Sequence, residues 1–512
     1  MSSINSKKIL SNTIFLYIRI IVSTIISLWT VPIILENLGV EDYGIYNLVA
    51  GIIAMLSFLN VSMIVSTQRF MSVSLGKDDK NIISNVFNVG LVIHILLGLI
   101  IVCLLELCSL FVFDNFLNIS PERIGASKLL FQFLIANMFV MVISVPFDAA
   151  INAHEDMMAF SIISIFDFVL RFILAFSLAF VKIDLLVFYG FGLLCISLLI
   201  LVIKFTYRYY RYSNLRIQLR SKFDYLLMKS MMKFTGLNVI GSFAIVGSKQ
   251  GIAVIYNLFF GTIANTAYGI ANQVNGAISY FSTTLPNAIN PQLMQSEGSN
   301  DRSRVISMSL VSSKFSTIIL ACFAIPLILE MPYVLGLWLT EIPTYTVEMC
   351  RLILVLSLFY QISTGLMSAV QAVGNMRNYQ ISLSILYLLT LPISYIGLLY
   401  YKSILIPLVV CIVMEVISLL VRIVFAQKLV GIDFKEFIFK IVLPLMLCIL
   451  LSSIVPYLVT LFISQSFFRV LLTTVSFLSI FLLLLWFVLF NSSDKNFIKN
   501  IIYSIKKKIV RR

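Results

Sequence analysis

Apolar residues run along this chain in long stretches, broken by short polar turns. Fourteen runs can be marked, at about 10–35, 43–66, 85–113, 128–151, 157–181, 185–206, 234–258, 264–290, 305–335, 349–373, 379–400, 403–427, 437–461 and 469–490. A helix crosses the hydrocarbon core with about 20 such residues, so the pattern predicts a polytopic helical protein. Breaks such as Lys182–Asp184 and Tyr401–Ser403 mark hairpins between neighbouring helices. The longest interruption is Lys204–Lys233, with eight Lys or Arg against one acid, Asp224. It divides the chain into halves of like build. The expected fold is all-α with about 14 transmembrane helices: a six-helix lobe over 1–206, a basic cytoplasmic linker over 207–233 and a second six-helix lobe over 234–427. Two further helices over 428–490 and a basic amphipathic tail over 491–512 complete it.

Composition agrees with the pattern. The 512 residues are 60% hydrophobic and 12% charged, where soluble chains run near 25% charged. That leaves no room for a sizeable soluble domain. Met1–Lys8 and the apolar run behind it look like a signal peptide, but no small-residue cleavage site follows and Ile9–Leu35 is too long for one, so it is read as the first span. The seven cysteines lie in or at the ends of apolar runs with no CxxC pair, which reads as small buried hydrophobes.

The net charge of +14 is unevenly spread. With a cytoplasmic amino terminus, the inside segments hold Lys7, Lys8, Lys77, Lys80, the eight central basics, Arg302, Arg304, Arg377, Lys428, Lys435 and seven more after Asn491. The outside segments hold only Arg123, Lys128, Lys182, Arg351, Lys402 and Arg469. Positive charge favours the cytoplasmic side, so both termini are expected inside. In the tail, Ile498, Ile501, Ile502, Ile505 and Ile509 share one helical face among basics, the pattern of a helix lying on an anionic leaflet.

The two halves carry a faint repeat. Glu36-Asn-Leu-Gly and then Tyr43-Gly44-Ile45 open the second run; Asn257-Leu-Phe-Phe-Gly and then Tyr268-Gly269-Ile270 open the eighth. Each is followed by a Gln, Gln68 or Gln292, and then by a polar turn at Gly76 or Gly298. Six spans per copy is an even number, so the copies point the same way, as parallel lobes.

Charge inside a bilayer needs a partner or water. Arg19, Arg171 and Lys249 lie within apolar runs, and Arg69 ends one. Asp167 stands four residues before Arg171 and can neutralise it on one helix face, with a structural and a functional role both open. Arg19 and Lys249 have no acid at helical spacing. Lys249 sits in Gly247-Ser-Lys-Gln-Gly251, a small-xxx-small pattern that serves either close packing or a lumen. Asn265, Asn272, Asn275, Ser279, Ser282 and Asn287 recur at spacings near three, four and seven, a polar stripe that suits a wet cavity or interhelical glue. Phosphate draws Arg and Lys, and sugar hydroxyls pair with amides. Asp167, His94 and Glu415 are candidates to carry a coupling ion; Glu106, Asp148 and Glu330 share the same alternatives, a titrating group or a satisfied helix-end carboxylate.

No HExxH, multi-His metal cluster or Gly-rich phosphate loop is present, so no metal or cofactor is expected. The sharpest enzyme idea is the pair Glu41-Asp42 as ligand or base of a polyprenyl-phosphate-dependent glycosyltransferase; the alternative is that the pair caps the helix starting near Tyr43.

LENLGVEDYGIYNL from Leu35, STQRFMSVSLGKDD from Ser66, AINPQLM from Ala288, GNMRNYQ from Gly374 and LPISYIGLLYY from Leu391 resemble the lipid-linked polysaccharide (O-antigen or capsule type) flippases of the multidrug/oligosaccharidyl-lipid/polysaccharide exporter superfamily. The resemblance implies two bundles in a V around a cationic lumen. It implies alternating-access transfer of an undecaprenyl-diphosphate-linked oligosaccharide across a bacterial inner membrane, with Arg19 and Lys249 matching the diphosphate-holding positions. Other partners implied are membrane lipids, a polysaccharide polymerase and a chain-length regulator, with no nucleic acid. The alternatives are an ion-coupled multidrug antiporter of the same superfamily and the glycosyltransferase.

Overall fold

A computed structural model describes residues 6–54, 56–77, 80–115, 120–212, 214–217, 224–339, 342–491 and 494–495. Its elements are helical: α1 (Ser6–Ala54), α2 (Ser57–Gly76), α3 (Lys80–Asn115), α4 (Ile124–Ala153), α5 (Met157–Ser177), α6 (Leu185–Arg211), α7 (Tyr225–Gly298), α8 (Arg302–Trp338), α9 (Thr346–Ile362), α10 (Thr364–Val373), α11 (Arg377–Tyr401), α12 (Ile406–Val430), α13 (Phe434–Phe437), α14 (Leu443–Phe462) and α15 (Phe467–Leu484). Eleven helices among the described residues are long and apolar enough to cross a membrane, or twelve when the bent pair α9 and α10 is one span. Fourteen is thus an approximation. The second and eighth runs lie on helix, but they are not among the eleven. The tail beyond Lys495 lies outside the described residues.

Two glycines explain why α1 and α7 are so long. Each helix contains one break, at Gly39 (φ 77°) and Gly261 (φ 74°), a region of backbone space that side-chain-bearing residues rarely enter. These are the glycines that head the two copies of the repeat. The repeat therefore includes the same helix–break–helix turn.

The chain forms two compact units, Ile14–Ser242 and Phe243–Arg512, the latter with Met1–Thr13. In the first, α4 packs against α2, α3 and α6, around a core that includes Phe87, Phe131 and Leu130. The opening of α7 belongs here too: the hydroxyls of Ser66 and Thr235 meet at 2.7 Å, and Ser62 donates to Ser242 at 2.8 Å. The unit boundary thus falls within α7 and not in the basic linker. The described ends of that linker are held by the first unit. Arg208 donates to the Leu215 carbonyl at 2.5 Å, Tyr212 to Asp156 at 2.6 Å, Asn88 to the Arg216 carbonyl at 2.8 Å and Asn85 to Asp224 at 3.3 Å.

At one end of the same unit, Arg123 bridges Asp42 and Asp184; its Nη1 lies 2.7 Å from Asp184. Glu41 accepts from Ser120 at 2.6 Å. The acidic pair is therefore engaged by α4's approach. Asp184 also caps α6, accepting from Leu186 N at 3.1 Å and Val187 N at 3.2 Å. Burial works to raise its carboxyl, but Arg123 and the two backbone donors outweigh it and hold it below the ordinary value. A lowered folded value makes the contribution complete above the unfolded value of about 3.9 and lost as pH falls through the folded one. Asn at this position keeps the cap and removes only the charge. Asp184→Asn should therefore melt earlier than wild type at pH 7, by about 1 kcal/mol or less because the pair is partly exposed, and the gap should close as pH falls through the folded value.

In the second unit α8 is central, packing against α9, α10, α14 and α15, while α12 packs against α9, α10 and α11. Pro332 cannot donate to the carbonyl of residue 328. Arg351 supplies the missing donor, its Nε reaching the Ile328 carbonyl at 2.8 Å. The helix is distorted there at Glu330 (φ −100°, ψ 15°), and this carboxylate turns to Arg469, whose Nη2 lies 2.7 Å away.

Candidate functional site

A cavity of about 470 Å³ opens within the second unit, inside the 300–1,000 Å³ range of ligand pockets. Its polar lining comes from α7 (Ser248, Lys249, Asn272, Asn275, Ser279), α9 (Ser357, Gln361) and α12 (Glu415), with tyrosines 268, 360 and 387 completing the wall. Lys249, Asn272, Asn275 and Glu415 were each singled out by the sequence, and the fold brings all four here. The Gly261 break allows this. It lets α7 leave with Lys249 on one arm and return with the asparagine stripe on the other.

Within the site, Asn275 Oδ1 accepts from Ser357 at 2.6 Å and from Ser279 at 3.2 Å. That fixes its amide orientation and leaves its NH₂ group to the cavity. Asn272 donates to the Tyr268 carbonyl at 2.9 Å, and the Tyr268 hydroxyl donates to the Lys249 carbonyl at 3.4 Å. Of the stripe only the middle faces the cavity: Asn265 and Asn287 do not line it, and Ser282 is buried, donating back to the Ser279 carbonyl at 3.1 Å. The Gly247–Gly251 motif serves both of its readings. A Cβ on Gly251 would come 2.5 Å from Leu391, whereas Gly247 has open space, and Lys249 between them is accessible from the cavity. Among the described residues no carboxylate lies within ion-pair distance of Lys249.

Glu415, the one carboxylate among the described residues that line the cavity, is already engaged. Its Oε1 accepts from Arg422 Nη1 at 2.5 Å and its Oε2 from the Tyr387 hydroxyl at 3.2 Å. Sequence reasoning passed over Arg422. The available signal was its position seven residues after Glu415, two helical turns on the same face.

The other singled-out charged residues do not line this cavity; all but Glu330 belong to the first unit. Arg171 pairs with Asp167, its Nε 3.1 Å from both carboxylate oxygens; the two share a smaller cavity of about 180 Å³ with Asp148 and Lys204, themselves 2.7 Å apart. Arg19 lies over the Phe160 ring, 5.0 Å from its centroid, and Arg69 over Phe70 and Phe234 at 5.1 and 4.8 Å, contacts that shield a cation by its attraction to the ring faces. His94 is buried and its Nδ1 lies 2.6 Å from the Gly90 carbonyl, a bond back along its own helix. The carboxylates with open roles all have partners: Asp148 has Lys204, Glu330 has Arg469, and Glu106 accepts from Gln132 at 3.0 Å.

Residues 15–177 match the family model MatE. Several solved structures share the fold. An outward-facing multidrug resistance MATE family transporter of the MOP superfamily superposes with a TM-score of 0.73 at 14% identity, over 83% of this chain and 96% of that one. A MATE protein in a bent conformation gives 0.74 at 15%, over 83% and 95%. A MOP superfamily transporter from Pyrococcus furiosus, described by a reversed polarity of its binding pocket that suggests a different function, gives 0.72 at 15%, over 83% and 96%. No curated protein sequence matches the chain. The fold is thus that of these MATE structures, an arrangement of many helices apolar enough to cross a membrane.

Proposed function

We propose that this chain is a flippase that moves an oligosaccharide linked to a polyprenyl diphosphate between the leaflets of a bacterial inner membrane by alternating access. The observation that carries the reading is the charge of the cavity in the second unit. Lys249 faces it with no carboxylate within ion-pair distance among the described residues, while Glu415 on the same wall is paired with Arg422 behind it. An anionic head gains charge-assisted hydrogen bonds from an ammonium. Amides and hydroxyls of Asn272, Asn275, Ser357 and Gln361 offer partners to sugar hydroxyls, and the tyrosine rings offer apolar faces. In this reading Arg19, Arg69 and Arg171 serve the first unit's share of the pathway, and Asp167, His94 and Glu415 are where a coupling ion acts. Both termini lie in the cytoplasm, and a polymerase and chain-length regulator act on the product.

The multidrug antiporter reading is favoured by one observation, that the solved structures include a multidrug resistance transporter. The two readings differ in the sign of charge they need. A hydrogen bond to a charged group contributes about 1.5–3 kcal/mol, so Lys249→Ala should lower transport of the lipid-linked oligosaccharide by about 10- to 100-fold. Lipid-linked precursor should collect in the inner leaflet of the host strain, and efflux of a lipophilic cation should be unchanged. Undiminished surface polysaccharide in the Lys249→Ala strain overturns the assignment.

A further inference from the structure

Arg422 does not line the cavity, yet the geometry points to it as the residue that sets the cavity's charge; this inference rests on the anion reading above. Among the described residues, Lys249 and Glu415 are the charged side chains on the cavity wall. Left to themselves they would cancel, since a carboxylate and an ammonium facing one poorly hydrated space attract strongly. Arg422 prevents this. Its side chain is fully buried behind Glu415, and it takes Oε1 directly. It also donates to the Tyr387 hydroxyl, which in turn donates to Oε2. Both oxygens are thereby engaged by partners other than Lys249. The guanidinium is locked in turn, with Nη1 donating to Ser363 at 2.6 Å and the Tyr360 ring 5.3 Å from Cζ. Counting the wall and the residue behind it gives two cations and one anion, a net +1. Without Arg422 the same wall sums to zero, and Glu415 has Lys249 as its nearest route to neutralisation. The other ionisable groups on the wall, Cys411 and tyrosines 268, 360 and 387, carry no charge that changes this count near neutral pH. Arg422 thus acts on specificity through Glu415, as a positioning residue that never touches cargo.

A purely structural role would make Arg422 irreplaceable; a charge-setting role makes its loss repairable at Glu415. The test uses the full-length purified protein and geranyl diphosphate, a short prenyl diphosphate, with affinity read by calorimetry. Arg422→Gln should bind at least tenfold more weakly than wild type, and Glu415→Gln with Arg422→Gln should return to within about threefold. Glu415→Gln alone, which leaves the added cation in place, should bind at least as tightly as wild type. In parallel, a membrane-permeant carbodiimide joins a carboxylate to an amine only in contact, forming an amide and leaving as its N,N′-disubstituted urea. It should link Glu415 to Lys249 in Arg422→Gln, detected by peptide mass spectrometry, and should not in wild type. Wild-type affinity in a folded Arg422→Gln protein with no such link overturns the inference, as does weakened binding in Glu415→Gln alone. Should the link form while wild type binds no geranyl diphosphate, the charge-setting role stands and the anion reading of the cavity falls.

Discussion

Replacing Arg469 by leucine is expected to destabilise the second unit by about 3–5 kcal/mol, the cost of leaving a buried ion-pair partner behind. Arg469 is 6% exposed and Glu330 1% exposed. Nε and Nη2 both reach Glu330 Oε2, at 3.1 and 2.7 Å, while Nη1 donates to the Ile463 carbonyl at 2.9 Å. One side chain therefore serves two groups from its place at the start of α15: the buried carboxylate at the distortion before Pro332 and the end of α14. Removing it strands a carboxylate in the protein interior and an unsatisfied helix-end carbonyl. Glu330→Leu together with Arg469→Leu should recover part of the loss, since the stranded charge is gone, but not the part owed to the Ile463 carbonyl. Thermal unfolding of the purified protein in one detergent checks both. A melting temperature in Arg469→Leu equal to that of wild type would show that α15 does not depend on this pair.

The helices and half of the candidate site could be read from the residues because both depend on local spacing. Apolar runs long enough to span the bilayer became helices, and Asp167 and Arg171, one helical turn apart, do pair. A stripe of Asn and Ser at helical spacing cannot face lipid, and Asn272 and Asn275 duly line a cavity with Lys249. What escaped depends on contacts between distant segments. Lys204 meets Asp148 across 56 residues, Lys314 meets Asp494 across 180, and Arg469 meets Glu330 across 139; no periodicity encodes such meetings. Arg422 was hidden differently, as a single cation inside a strongly apolar run. How the basic linker is attached was not legible, because composition reports charge, not attachment. Its described ends are held through backbone carbonyls that any residue would present. The glycine breaks were legible, because Gly39 and Gly261 stand in the gaps between apolar runs that the sequence already separates.

Gly365 is the position where one added carbon should do the most harm. It opens α10 and lies against α8, where Ser309, Ser312, Ser313, Ser316 and Thr317 form a buried face of small side chains. Two polar contacts draw the helices together: Gly365 N donates to Ser313 Oγ at 3.1 Å, and the hydroxyls of Ser316 and Thr364 lie 3.3 Å apart. A Cβ on Gly365 would fall 1.9 Å from the Ser309 carbonyl oxygen and 2.6 Å from Ser313 Oγ. The nearer atom belongs to the backbone of a central helix and cannot rotate away. To regain ordinary contact, α10 must lift off α8 by more than an ångström, giving up both polar contacts. Overpacking of an adaptable core costs about 1–3 kcal/mol, and this site has little freedom to adapt, so Gly365→Ala should reach the upper end and Gly365→Val should leave little folded protein. Ser313→Ala should not rescue either variant, because it leaves the nearer carbonyl oxygen in place. Gly236→Ala supplies the contrast: that glycine lies within α7 with nothing inside 4 Å of the new carbon, so relief of backbone entropy should leave stability unchanged or raise it by up to about 1 kcal/mol. Size-exclusion profiles and melting temperatures in a common detergent separate the two. Equal profiles for Gly365→Val and Gly236→Ala would mean that α10 parts from α8 at no cost, and the account of this contact would fail.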